Sequence, residues 1–260
     1  MKKMMAMLLV LMLAVSLAAC TQATETIYVQ TKSVRTIGEN EIRMEYTYSE
    51  DGTPISIKTY FNNKPYQNTV SRTSGGIQYL TITDANGNST TQSTEYKYDD
   101  DGKVLQVTTS ISGTEAAYTN YTYDDKGRLS TTVAVTAAAV INTTYTYDDN
   151  DNLISALEQN QNNGEYNRTD YVYNADGDVI KESTFSAEDT LKSYVEISIN
   201  ADKTQKTFTY YNGDGTATGE VVVETYDEHG NKVRAVTTID GEEAMVVVNT
   251  YMALEVPVKE

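Results

Sequence analysis

Along most of the chain, apolar and polar residues alternate at every second position in short runs, and each run yields to a cluster of Asp, Asn, Gly or Ser. Side chains of a strand point alternately to its two faces, so this period predicts strands with one apolar face each. Leu105-Gln-Val-Thr-Thr-Ser-Ile111 reads this way, and Tyr-x-Tyr pairs such as Tyr121-Thr-Tyr123 set two rings on one face. The clusters are turn chemistry, because Asp side chains bond nearby backbone and Gly supplies a positive φ. No segment carries a helical period. The Ala-rich stretch from Ala134 to Ile141 is broken by Val and Thr and reads as the returning arm of a hairpin.

The pattern repeats. Tyr96-Lys-Tyr-Asp-Asp-Asp-Gly102, Tyr121-Thr-Tyr-Asp-Asp-Lys-Gly127, Tyr145-Thr-Tyr-Asp-Asp-Asn-Asp151 and Tyr171-Val-Tyr-Asn-Ala-Asp-Gly177 align without gaps, their first Tyr residues 25, 24 and 26 apart. Weaker copies are Tyr46-Thr-Tyr-Ser-Glu-Asp-Gly52, Ile197-Ser-Ile-Asn-Ala-Asp-Lys203 and Glu224-Thr-Tyr-Asp-Glu-His-Gly230, and Thr83-Asp-Ala-Asn-Gly87 adds a turn in a degenerate unit. Each unit is one hairpin, two strands and two turns, and a lone hairpin cannot bury its apolar face. The expected fold is all-β: an antiparallel β-hairpin repeat array of about 25 residues per unit, forming an open twisted or curved sheet over residues 41–254. Residues 20–40 read as a tether and 255–260 as a C-terminal tail.

The first nineteen residues stand apart. Lys2 and Lys3 precede a nearly unbroken apolar run from Met4 to Val15, too short for a membrane span of roughly 20 residues. Leu17-Ala18-Ala19-Cys20 follows, which resembles the lipobox of bacterial lipoproteins. That resemblance implies a signal peptide over 1–19 and an acylated Cys20 as the lipid attachment site. Several acyl chains together give stable membrane anchoring. Loss of the leader removes two Lys and no acid, taking the net charge from −17 to −19.

Charge narrows the function. With 20 Lys+Arg against 37 Asp+Glu, sequence-independent binding to nucleic acid is excluded, because phosphate neutralisation needs clustered cations. One Cys and one His exclude an intrachain disulfide framework, a Cys-rich zinc site and multi-His metal centres. No cofactor and no metal are expected. The acidic turns Asp99-Asp100-Asp101, Asp124-Asp125 and Asp148-Asp149 with Asp151 lack the twelve-residue calcium loop with its closing Glu and read as solvated turn residues.

The unit Tyr121-Thr-Tyr-Asp-Asp-Lys-Gly-Arg-Leu129 resembles the YD repeat, also called the RHS repeat, over about 200 residues. Members of that family are bacterial envelope or secreted proteins whose hairpin strips can coil into hollow shells; some are toxin-delivery cages and some are thought to bind carbohydrate. Gly-Arg-Leu occurs once here, and neither a variable toxin domain nor a Pro/Asp-rich junction follows the last unit. About eight units are read as too few to enclose a large cavity.

The resemblance and the leader imply a non-catalytic, lipid-anchored surface protein of the bacterial cell envelope, on the outside of the cell membrane or on the outer membrane. Its expected partners are the membrane through Cys20 and an envelope protein or glycan, and not nucleic acid. A carbohydrate-binding module is the alternative, and a hydrolase using a carboxylate pair is a weaker third reading. The paired Tyr residues read as packing residues. Tyr66, Tyr79, Tyr118, Tyr166, Tyr194 and Tyr211 lie outside the pairs and are the candidate ligand contacts. His229, in the turn Asp227-Glu228-His229-Gly230, reads as solvent-exposed.

Overall fold

A computed structural model describes residues 24–186 and 189–258. The described residues form eighteen strands: β1 (Thr24–Ile37), β2 (Asn40–Tyr48), β3 (Pro54–Phe61), β4 (Lys64–Ser74), β5 (Ile77–Asp84), β6 (Ser89–Tyr98), β7 (Val104–Ile111), β8 (Thr114–Tyr123), β9 (Leu129–Thr136), β10 (Val140–Tyr147), β11 (Leu153–Asn160), β12 (Tyr166–Tyr173), β13 (Val179–Phe185), β14 (Leu191–Ile199), β15 (Gln205–Asn212), β16 (Ala217–Tyr226), β17 (Lys232–Ile239) and β18 (Glu242–Pro257). Each pairs antiparallel with its neighbours in sequence, and β1 pairs with both β2 and β18.

The sheet therefore closes on itself. This corrects the expectation of an open sheet, and also the reading that so few units cannot enclose a space. Closure satisfies the backbone groups that open edge strands would leave exposed. Two boundaries change with it. Residues 24–37, within the expected tether, are the closing strand, and β18 runs into the expected tail, where Val256 is buried. The closing strand was hard to read because its register shifts between Gln30 and Lys32, which breaks the alternation midway.

The Asp turns that follow the Tyr pairs fall at one rim, since each follows an even-numbered strand, and β1 starts and β18 ends there too; the turns holding Asp84, Asp189, Asp214 and Asp240 follow odd-numbered strands and lie at the other rim. Handedness decides which face looks inward. Lys97, Gln106, Asn120, Val133, Asn142, Gln159 and Tyr166 oppose one another in turn, descending from the Asp-turn rim to the far rim as strand number rises. Barrel strands coil right-handedly, so strand order runs left to right when viewed from outside with the Asp turns uppermost. On the upward strands, the carbonyls of Glu41, Thr91 and Val140 accept bonds from Asn62, Ser112 and Gln161 of the following turn, to the viewer's right. For an L-residue on an upward strand, that direction goes with a side chain aimed at the viewer. These residues and all those opposed to them face outward, and the Tyr pairs face the lumen.

Burial agrees. Ser33, Thr132, Thr143, Ile197 and Thr237 are buried although no second layer covers them, and all five lie on the inner face, where curvature crowds side chains together. The other buried residues, Val29 and Val256, lie where β1 and β18 run on past their neighbours. There Ile27 and Val256 crowd Gly52 so closely that a Cβ on Gly52 would sit 2.6 Å from Ile27 Cδ1.

Candidate binding lumen

The repeat motif builds the Asp-turn mouth of the lumen. In each turn the residue after the Tyr pair clamps the loop: Asp99, Asp124, Asp148, Asn174 and Asp227 accept backbone N–H bonds from residues two and four positions on. Gly102, Gly127, Gly177 and Gly230 hold φ between 78° and 82°, the left-handed region that a Cβ disfavours. Where the unit lacks Gly, Asp151 and Lys203 take that conformation at φ 66° and 57°. These carboxylates are engaged by their own turns. Among the described residues no group of three or more His, Cys, Asp or Glu is placed to hold a metal.

The clamp fixes the strand before it and thereby the second Tyr of each pair. Tyr48, Tyr123, Tyr147 and Tyr173 donate their hydroxyls to the carbonyls of Gln30, Val104, Leu129 and Leu153 at 2.7 to 2.9 Å, and Tyr251, which belongs to no pair, makes the like bond to the Lys232 carbonyl at 3.2 Å. Cations cover some of these rings: Lys103 Nζ lies 5.3 Å from the Tyr123 centroid and the Arg128 guanidinium 4.5 Å from that of Tyr147. Arg128 also pairs with Asp124 at 2.8 Å and with Asp151 of the next turn. That stitching role is not marked by the repeat, since a cation follows the turn Gly only at Lys103 and Arg128.

The lumen raises tyrosine pKa values. Desolvation by burial holds Tyr46, Tyr48, Tyr121, Tyr147, Tyr171, Tyr173 and Tyr210 above the ordinary phenol value. Tyr226 is raised furthest, by burial and by its bond to Glu224. For Tyr171, the Glu182 and Glu158 carboxylates add to the effect.

A model of the Teneurin YD-shell family matches residues 56–185, half of the chain. The chain belongs to the Teneurin YD-shell family. The matched part of the YD-shell runs from within β3 to the end of β13. Among solved structures, a porin-like protein from Bacteroides uniformis is similar at 15% identity over 86% of this chain and 96% of its own, with a TM-score of 0.43. A porin-like protein from Bacteroides vulgatus matches at 13% identity over 86% of this chain and 98% of its own, with a TM-score of 0.40. No curated protein matches.

The sequence-derived candidates fall elsewhere on the YD-shell. Cys20 lies outside the described residues. Tyr79, Tyr118, Tyr166, Tyr194 and Tyr211 face outward, opposite to the Tyr pairs. Tyr66 is the extra residue of a bulge at the far rim and is 58% exposed. The six do not form one platform. Only Tyr194 and Tyr211 meet, stacked with centroids 4.6 Å apart and planes 9° from parallel, with Lys181 Nζ 3.8 Å from the Tyr194 centroid. His229 keeps substantial exposure but also stacks on Tyr28 at 3.9 Å, tying the β16–β17 turn to β1.

Proposed function

We propose that this YD-shell barrel is a lipid-anchored, non-catalytic binding protein of the bacterial cell envelope, standing on the membrane rather than in it. The observation that carries this reading is the charge of the outer wall. Lys32, Arg43, Lys58, Arg72, Arg168 and Lys181 face outward from the strands, among Glu45, Asp170 and Glu196. A lipid-facing barrel wall carries an apolar band, and each Arg or Lys at its midplane costs roughly 2–4 kcal/mol. The leader and the Leu17-Ala18-Ala19-Cys20 tetrapeptide supply the anchor. Cys20 lies four residues before Thr24, where β1 starts at the Asp-turn rim, a reach of at most ~14 Å. The anchor therefore holds that mouth close to the bilayer.

The test is Cys20→Ser in the full-length protein. Release from membranes and loss of labelling by a fatty-acid probe are expected, and retained labelling overturns the anchor. Activity against a panel of envelope glycans and peptides would overturn the non-catalytic reading.

A second reading, binding of a glycan, is supported by the outward Tyr194–Tyr211 stack. Tyr194→Ala with Tyr211→Ala should then abolish any saturable signal on a glycan array. A signal unchanged by both substitutions removes this reading.

A further inference from the structure

The inner face of the barrel is an unpartnered sheet face. Eighteen strands about 4.8 Å apart, tilted about 40°, give a ring roughly 35 Å across between backbones. Each strand touches only its two neighbours, so no segment among the described residues spans the space. Once the lining side chains are counted, the bore is ~20 Å, wider than a helix of 10–12 Å. Beyond the Tyr pairs its wall is mixed: Val107, Ile141, Val195, Phe208, Val222 and Val247 point in among hydroxyl side chains such as Thr119, Thr132, Thr143 and Thr169.

Its ionisable groups are of both signs: Glu158, Glu182, Glu220 and Glu224 share the inner face with Arg35, Lys206 and Lys232. Glu158 and Glu182 lie on the inner face on either side of Tyr171 and form no ion pair among the described residues. Glu224, also luminal, is paired with Lys232 at 2.7 Å. Above them the mouth carries Asp100, Asp101, Asp125, Asp149, Asp202 and Glu228 in its turns. Low-dielectric walls focus such a field into the opening.

We propose that the lumen binds a cationic amphipathic peptide, entering through the acidic mouth. The acidic rim steers the peptide, Glu158 and Glu182 receive its ammonium or guanidinium groups, the Tyr faces offer cation–π contacts, and the inward Val, Ile and Phe side chains take its apolar side. A neutral glycan would leave the luminal carboxylates unused, and an anionic lipid would be repelled at the mouth. The proposal rests on the reading of the protein as a non-catalytic binding barrel but needs no lipid anchor, so fatty-acid labelling and peptide titration fail independently.

The experiment is calorimetric titration of the chain from residue 20 onward carrying Cys20→Ser, which holds every strand from Thr24 to Pro257. The probes are a synthetic Lys/Leu amphipathic peptide, its Glu/Leu counterpart and a Lys/Ser peptide without an apolar face. Saturable binding of the Lys/Leu peptide alone is expected, weakening as salt is raised. Glu158→Gln with Glu182→Gln should weaken it about 10-fold, whereas the outward pair Glu95→Gln with Glu196→Gln should change it less than about 2-fold. Retention of each variant's far-ultraviolet spectrum and melting point shows that it has folded. Photo-crosslinking of a diazirine-bearing Lys/Leu peptide should mark the Tyr171 region of the wild-type lumen, a readout that needs no variant. No binding, equal binding of the Glu/Leu or Lys/Ser peptide, equal loss in the outward pair, or crosslinks confined to the outer face would each overturn the proposal.

Discussion

Val34→Pro tests the closure on which the lumen depends. Val34 lies near the middle of the overlap of β1 with β2, opposite Val248 of β18 on one side and Arg43 of β2 on the other. A proline there removes one ladder N–H and leaves its acceptor carbonyl without a donor, at about 1–3 kcal/mol. Against a domain stability of about 5–15 kcal/mol this is a sizeable fraction. With a urea slope near 3 kcal/mol/M, the midpoint should fall by up to about 1 M. Tyrosine fluorescence and far-ultraviolet circular dichroism follow the unfolding, and hydrogen exchange should quicken in β2 and β18, the two strands that lose their partner. Val34→Thr keeps the strand preference and the donor, so it should cost less than about 1 kcal/mol. If Val34→Pro unfolds at the same urea concentration as Val34→Thr, β1 does not close the sheet, and the tether and open-sheet reading returns.

Tyr147→Phe removes the hydroxyl bonded to the Leu129 carbonyl and should lower stability by about 1 kcal/mol in the same titration; no change would make these bonds incidental. Asp148→Ala should lower the thermal midpoint and Asp149→Ala should not, because Asp148 alone clamps the turn through the Asn150 and Asn152 amides. Equal effects would refute the clamp. The Asn88 side chain holds the Asp84 carboxyl below its usual value, Asn152 does the same for Asp148, and Thr216 for Asp214. Their contribution is complete above the unfolded carboxylate value near pH 4 and is lost as pH falls through their lower folded values, so acid melting should set in below about pH 4. The luminal tyrosines work in the opposite direction: their folded values are raised, so stability is complete below about pH 10 and is lost as pH rises through the folded values. Absorbance near 295 nm should show these phenols ionising late and together with unfolding; ionisation of all the tyrosines near pH 10 in the folded protein would contradict a desolvated lumen.

The hairpin units were legible because their causes are local. Tyr-x-Tyr, Asp at the clamp position and Gly at φ near 80° act within a few residues of one another, and the four strong units stand as read. The six unpaired tyrosines stand apart from the pairs in the sequence, and their dispersal around the outer wall and far rim depends on strand order and stagger. His229 was read as a turn residue, but its stacking partner Tyr28 lies about 200 residues away.

By itself the sequence determined the period, the strands, the turn chemistry and the acidic character of the turns. It also carried the lipobox-like tetrapeptide that ends at Cys20. Tertiary structure alone decided that the array closes, that β1 is the strand closing it and that the paired tyrosines line a lumen. Closure joins residues such as Thr26 and Glu255, whose side chains bond across 229 positions. It follows from register offsets accumulated over eighteen strand pairs and from the hand in which strands coil, and no short window of residues contains that sum.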